Sequence, residues 1–316
     1  MTPRHADMLV VGGGLIGATT AFVLRQAGYN VTVLDADLPG AAWRAAAGLL
    51  SPAAEGLTPD TPLGALAAES LRLWPAFARQ LESASGICIH YREGVLTRHP
   101  DDTWARIPGE AQVHPPSVIR AALHGLPVHP GRVLSVQASS EGVQLTTDQG
   151  PWQARTVILA AGAWSATFGL PVRPVQGQAL LFTPPDSAAA PARAAGRRRG
   201  QGARAYTLTR PDGVYVGATV RRNNQVTADP RARRWLQAAA DCLDPRLRNQ
   251  PVQVTLVGLR PLTPDGHPLV RPHPSHPGVL VTTGHGRHGA LLAPWTARRV
   301  LELLPAPSVL TPAGVA

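Results

Sequence analysis

The stretch Asp7-Met-Leu-Val-Val-Gly-Gly-Gly-Leu-Ile-Gly-Ala-Thr-Thr-Ala-Phe-Val-Leu-Arg-Gln-Ala-Gly-Tyr-Asn-Val-Thr-Val-Leu-Asp35 decides the fold. Met8 to Val11 reads as a short apolar strand and Ile16 to Ala27 as a helix. Val31 to Leu34 reads as a second strand that ends at Asp35. Gly12, Gly14 and Gly17 fall on G-x-G-x-x-G between the first strand and the helix, the order of a dinucleotide-binding βαβ unit. Gly12 permits the tight turn, Gly14 lets a pyrophosphate approach the backbone, and Gly17 lets helix pack on strand. Phosphates then sit at a helix N-terminus, where unpaired N–H groups favour negative charge. Asp35 is placed to accept hydrogen bonds from a ribose hydroxyl, which argues against a 2′-phosphate. The motif leaves FAD and NAD both open.

Outward from this unit, 316 residues with 44% hydrophobic composition suffice for a large core in one or two domains of a soluble globular protein. Two cysteines, Cys88 and Cys242, cannot supply a disulfide framework or a four-cysteine zinc site, so a reducing cytoplasm is expected. Arg4 ahead of an apolar run superficially resembles a secretory signal, but the glycines and the run-on to Asp35 favour the βαβ reading. No segment has the ~20 continuous apolar residues of a membrane span. All 30 basic residues are arginine, and the net charge is +10. The absence of lysine removes Schiff-base chemistry and the P-loop lysine. The charge raises an anionic partner such as tRNA, but a bias this uniform reads as compositional, and nucleic acid is not the expected partner.

Farther along, Leu38 to Pro52 is rich in small residues around Gly48. Leu63 to Leu81 carries apolar residues at helical spacing. Ile87 to Leu96 is strand-like, 98–116 reads as loop, and Ser117 to His124 as a short helix capped by Ser117. Arg132 to Gln137 and Val143 to Thr147 suggest a β-meander. Thr156 to Ala160 is a buried strand running into the small-residue turn Ala161-Gly-Ala-Trp-Ser165. Residues 184–204, with Arg197-Arg-Arg-Gly, read as a basic surface loop. Strands are expected at Tyr206–Leu208, Val214–Val216 and Val252–Val257, with a helix over Arg231–Cys242. A last strand, Gly278–Thr283, meets Gly284-His-Gly-Arg-His-Gly289 and a helix from Ala290 to Leu304 whose first turn takes Pro294. This is a second glycine-rich strand-to-helix junction.

These pieces resemble, in sequence order, the D-amino acid oxidase superfamily of FAD-dependent amine oxidases, and most closely its glycine oxidase branch of thiamine thiazole synthesis. The motifs are Gly12-Gly-Gly-Leu-Ile-Gly17, Ala45-Ala-Ala-Gly-Leu-Leu-Ser-Pro52, Ala161-Gly-Ala-Trp164, Arg173-Pro-Val-Gln-Gly-Gln178, Val216-Gly-Ala-Thr219, Gly258-Leu-Arg-Pro-Leu-Thr-Pro-Asp-Gly266 and Thr283-Gly-His-Gly-Arg-His-Gly-Ala-Leu-Leu-Ala-Pro294. The resemblance implies an α/β fold: a Rossmann-like FAD-binding domain (1–82, 117–172 and 256–305) interleaved with an α+β antiparallel-sheet substrate domain (83–116 and 173–255), then a tail, 306–316.

It also implies a set of cofactor residues for noncovalent FAD. Gly12, Gly14, Leu15, Ile16 and Gly17 stand at the first turn, and Asp35, Ala36 and Arg44 beside the ribose and phosphates. Ala47, Gly48 and Leu49 touch the cofactor, and Val133 meets the adenine. Ala161, Gly162 and Trp164 form the turn facing it. His285, Gly286, Arg287, His288, Gly289, Ala290 and Leu291 line the isoalloxazine. Arg260 corresponds to the arginine that pairs with the substrate carboxylate, Arg287 to a second arginine near it, and Tyr206 to an aromatic wall residue. Arg260 and Arg287 also fit structural ion pairs, and Tyr206 a sheet edge. His285 and His288 lack a carboxylate or cysteine at ligand spacing, so no metal site is expected. Arg44 and His288 depart from the residues common at their positions.

The chemistry accounts for the residue types. A guanidinium grips an α-amino acid's planar carboxylate with two parallel hydrogen bonds and so fixes the Cα–H over flavin N5. Hydride transfer leaves an imine that water hydrolyses to an oxo acid and ammonia. The expected activity is oxidation of glycine, another small amine or a D-amino acid, with dioxygen as acceptor and hydrogen peroxide as by-product. The alternatives are a dehydrogenase with another acceptor, a tRNA wobble-uridine carboxymethylaminomethyl oxidase, and a noncatalytic FAD scaffold. A homo-oligomer is compatible with the sequence.

Overall fold

The structure, a computed structural model, describes residues 2–94, 96–98, 103–106, 109–183, 192–197 and 204–306. Two large sheets carry it. The first has strand order Leu269–Pro272, Val279–Thr283, Gly150–Leu159, Arg4–Val11, Val31–Asp35, Val128–Pro130, with the hairpin Val133–Ser139 and Gly142–Thr147 on Gly150–Leu159. Four inner strands are mutually parallel, and Gly150–Leu159 changes partner along its length. Ala154 faces Val143 of the hairpin, whereas Val157 faces Val279. The first strand shows why such a sheet must be covered twice: Met8 and Val10 pack among Ala21, Leu24 and Val300, while Leu9 and Val11 pack on the opposite face with Val157 and Val281.

Helices α1 (Leu15–Gln26), α2 (Pro62–Ser85), α3 (Pro115–Leu123) and α5 (Gly289–Glu302) meet in one apolar cluster around Phe22, Trp74, Leu81, Val118 and Leu292. Helix α2 runs longer than its apolar spacing suggests. The Thr61 hydroxyl accepts from Gly64 N at its start, and Gly86, in the left-handed region, ends it. Helix α3 begins earlier than expected. Pro115 and Pro116 have the fixed φ of a first turn, so His114 is the N-cap and Ser117 lies inside the helix, its hydroxyl 2.8 Å from His114 Nδ1.

Pro294 lies beyond the first turn of α5, not within it. A proline there removes a helical N–H, and α2 supplies partners nearby. Ser70 Oγ and Trp74 Nε1 both donate to the Leu291 carbonyl, at 2.7 and 3.1 Å, and Ser70 Oγ accepts from Trp295 N.

The second sheet is ordered Val252–Leu262, Arg173–Phe182, Gly213–Gly217, Arg204–Arg210, Ala192–Arg197, Leu96–Arg98, Trp104–Arg106. Its outer face is covered by α4 (Pro230–Leu243) around Leu180, Val216 and Leu236, and its inner face carries Ala179, Leu208 and Tyr215. Several expectations change here. Val252–Leu262 pairs with Arg173–Phe182 along its length, across the boundary expected at residue 256. Ala192–Arg197, expected as loop, is a strand because Arg204–Arg210 offers it an antiparallel edge. The 98–116 segment likewise holds the strands Trp104–Arg106 and Ala111–Gln112, while the strand expected from Ile87 to Leu96 is confined to Arg92–Glu93 before Leu96–Arg98 begins. The expected tail beyond 306 lies outside the described residues. No helix among the described residues is long and apolar enough to cross a membrane.

Candidate active site

The carboxyl ends of the parallel strands open into a cleft of about 1010 Å³ between the two sheets, at the upper end of small-molecule sites and suited to a dinucleotide with a second small ligand. Two backbone hydrogen bonds and one from a side chain tie the second sheet to the segments beside it: Leu259 N donates to Gly40 O, Gly286 N to Pro261 O, and Tyr215 Oη to Ala45 O.

At the dinucleotide end the glycines divide by cause. Gly12 has φ +108°, and a Cβ there would lie 2.5 Å from Ala160 O; a Cβ on Gly17 would lie 1.9 Å from Gly12 O. Both are demanded by the protein's own packing. On Gly14 a Cβ would meet nothing nearer than Trp43 Cδ1 at 3.4 Å, so its bareness serves what enters the cleft. Helix α1 has no side-chain N-cap and no acid in its first turn, and Leu15, Ile16 and Gly17 line the cleft. That is the chemistry of a pyrophosphate seat. Asp35 and Ala36 line it at the end of their strand, and Val133 enters from the hairpin. An uncapped helix start, a bare Gly14 and a strand-end acid are the groups that a dinucleotide such as FAD requires.

Ala47, Gly48, Leu49, Ala161, Gly162 and Trp164 also line the cleft, as do His285, Gly286, Arg287, Gly289 and Ala290. Gly48, at φ +87°, is glycine for a packing reason, since a Cβ would sit 2.0 Å from Val113 O. Three expected cofactor residues do not line the cleft. Arg44 stacks on Trp43, 4.7 Å from the ring centroid, and pairs with Asp37. Leu291 is buried in the helical cluster with its carbonyl anchored by α2. His288 is the N-cap residue of α5 and faces Glu55, with Nδ1 4.0 Å from Oε2. Burial and the neighbouring Arg287 hold its pKa down at about 4, so at neutral pH this contact is not an ion pair. His285 is more deeply buried, with a pKa lowered to about 3, and its Nε2 lies 2.9 Å from Thr296 Oγ1. It positions α5 and carries no charge.

Arg260, Arg287 and Tyr206 gather at the other end of the cleft. The Arg260 guanidinium lies against Gly177, where a Cβ would approach it to 2.4 Å, and its Nη1 donates to Thr219 O at 3.0 Å. Its anchor is thus a neutral carbonyl. Arg287 differs: its Nε pairs with the Glu55 carboxylate, so the ion-pair reading holds for this arginine. The Tyr206 ring stands 5.9 Å from that of Tyr215. Burial pushes the Tyr206 phenol well above its usual range, with Tyr215 and Glu55 acting the same way and Arg260 and Arg287 opposing. It is therefore a neutral hydrogen-bond donor. Glu55 and Tyr215 went unnoticed in the sequence. The available signal for Glu55 was its standing as the only acid between Asp37 and Asp60, in a segment of small residues. Among the described residues no group of His, Cys, Asp and Glu could hold a metal ion.

Comparison with known proteins points the same way. The chain is 30% identical over 347 aligned positions to the "Bifunctional protein ThiO/ThiG" of Trichormus variabilis, covering 94% of this chain and 52% of that one. It thus spans about half the length of such bifunctional relatives. It is 29% identical over 375 positions to the glycine oxidase of Geobacillus kaustophilus, covering 96% and 94% of the two chains. The crystal structure of glycine oxidase from that organism superposes with a TM-score of 0.82 at 26% identity, covering 95% of this chain and 94% of that one. The family described as FAD dependent oxidoreductase matches over residues 7–112 and 92–303. With that match spanning nearly the whole chain, and with a glycine turn, an uncapped helix end and Asp35 arranged for a dinucleotide, the chain belongs to the FAD dependent oxidoreductase family.

Proposed function

We propose that the protein oxidises glycine or a similarly small amino acid, using noncovalent FAD, to an oxo acid and ammonia with dioxygen as acceptor, and that the glyoxylate branch of this chemistry serves thiamine thiazole synthesis. The observation that carries the reading is Arg260, a cation held in a cleft by a carbonyl and by contact with a glycine, with no carboxylate at ion-pair distance among the described residues. Such a group is a receptor for an external carboxylate. Relatives named glycine oxidase and ThiO/ThiG support the choice of substrate.

Bound FAD supplies the hydride acceptor. The chain's own residues orient the substrate: Arg260 fixes the carboxylate, and the Tyr206 hydroxyl, kept protonated by burial, donates a second hydrogen bond. The pair Arg287–Glu55 and the uncharged His285 and His288 add no further net charge there. Cys88 and Cys242 are exposed and do not line the cleft, which fits noncovalent cofactor binding. The test is anaerobic mixing of the yellow holoprotein with glycine, sarcosine, D-alanine and D-proline. Bleaching by glycine or sarcosine at millimolar or lower concentration is expected; a flavin that none of them reduces overturns the proposal.

A further inference from the structure

Two arginines enter the substrate end of the cleft, and they are not equivalent. Arg287 is held by the Glu55 carboxylate, which is itself largely buried, whereas Arg260 is held by the Thr219 carbonyl. Both arginines and Glu55 influence the Tyr206 phenol, so the four groups share one neighbourhood. The imidazole of His288 lies beside the same Glu55 oxygen. Among the described residues of this neighbourhood, two guanidiniums stand against one carboxylate, a single surplus positive charge.

We propose that Glu55 is a specificity residue: by holding Arg287 it limits the site to amines bearing one carboxylate and excludes those bearing two. The inference rests on the reading that Arg260 takes the substrate carboxylate. A second carboxylate reaching Arg287 would have to displace Glu55 or stand against it in a partly desolvated cleft, and repulsion of that kind is how binding sites reject close analogues. The acid sits in a short 3-10 turn, Ala53–Glu55, flanked by Ala54 and Gly56, which also line the cleft. These small neighbours carry no charge of their own, so discrimination by charge at this turn falls to the carboxylate.

The test uses the FAD-loaded protein and two ligands that cannot be oxidised, acetate and malonate, measured by titration calorimetry. The wild type is expected to bind acetate more tightly than malonate. Glu55→Gln is expected to shift the ratio toward malonate by about tenfold, and adding Arg287→Gln should abolish that gain. In turnover, the kcat/KM of aminomalonate relative to glycine should rise in Glu55→Gln in parallel. A wild type that binds malonate as tightly as acetate overturns the role of Glu55, and this comparison stands even if the variant does not fold. So does an unchanged ratio in Glu55→Gln of normal flavin content and melting temperature. If neither ligand binds either protein, the carboxylate reading of Arg260 fails first.

Discussion

At the scale of single residues, the cleft separates groups that the sequence presents alike. Thirty arginines give no means of choosing among themselves, yet Arg260 and Arg287 end with opposite partners. Arg260→Ala removes a charge-assisted pair of about 1.5–3 kcal/mol, so the glycine concentration for half-maximal bleaching should rise on the order of 10- to 100-fold, with flavin content unchanged. An unaltered concentration dependence would remove the clamp. Gly177→Ala tests the same geometry from beneath. The new Cβ would meet the flexible end of Arg260 rather than backbone, so stability should hardly change while the half-maximal concentration rises as in Arg260→Ala. Gly177 was legible only as part of a motif. Its physical reason, a guanidinium lying on a bare backbone, depends on the antiparallel register that sets Gly177 opposite Gly258 and Val175 opposite Arg260.

Among elements, the same contrast separates glycines and helix ends. Gly17→Ala places a Cβ 1.9 Å from a backbone oxygen that cannot move without opening the first turn. The purified variant should carry little or no flavin, and full FAD occupancy would contradict the account. The α2–α5 junction gives a second case. Ser70 is fully buried, donates to Leu291 O and accepts from Trp295 N beside Pro294. Ser70→Ala should cost about 1–3 kcal/mol in a urea melt, because it leaves a buried N–H unpaired; a change within error would mean that water replaces the hydroxyl. Helix positions were readable from periodicity because helical spacing is local. Their boundaries were not, since the two prolines that open α3 and the hydroxyl of Thr61 set the first turns.

For the molecule as a whole, acid sensitivity follows from burial. His285 and His288 have folded pKa values of about 3 and about 4 against an ordinary 6.5, so the folded protein keeps both neutral while the unfolded chain takes up protons below pH 6.5. Their contribution is complete above pH 6.5 and declines as pH falls toward 4. The holoprotein's melting temperature should drop across that interval, and His288→Gln should drop less; identical slopes would refute the assignment. Asp212 acts at lower pH. His114 and Arg210 hold its carboxyl well below the usual range against the opposing effect of burial, so its stabilising contribution is lost as pH falls below about 3.8.

By itself the sequence determined the βαβ unit and the order of the glycine turns, because strand alternation, helical spacing and turn chemistry are written within a few neighbouring positions. Only the tertiary structure decided that Arg287 belongs to Glu55, that Leu291, Arg44 and His288 stand outside the cleft lining, and that Ala192–Arg197 is a strand. Ion pairing and edge pairing act through space, and their partners are fixed by how the two sheets close on each other rather than by distance along the chain.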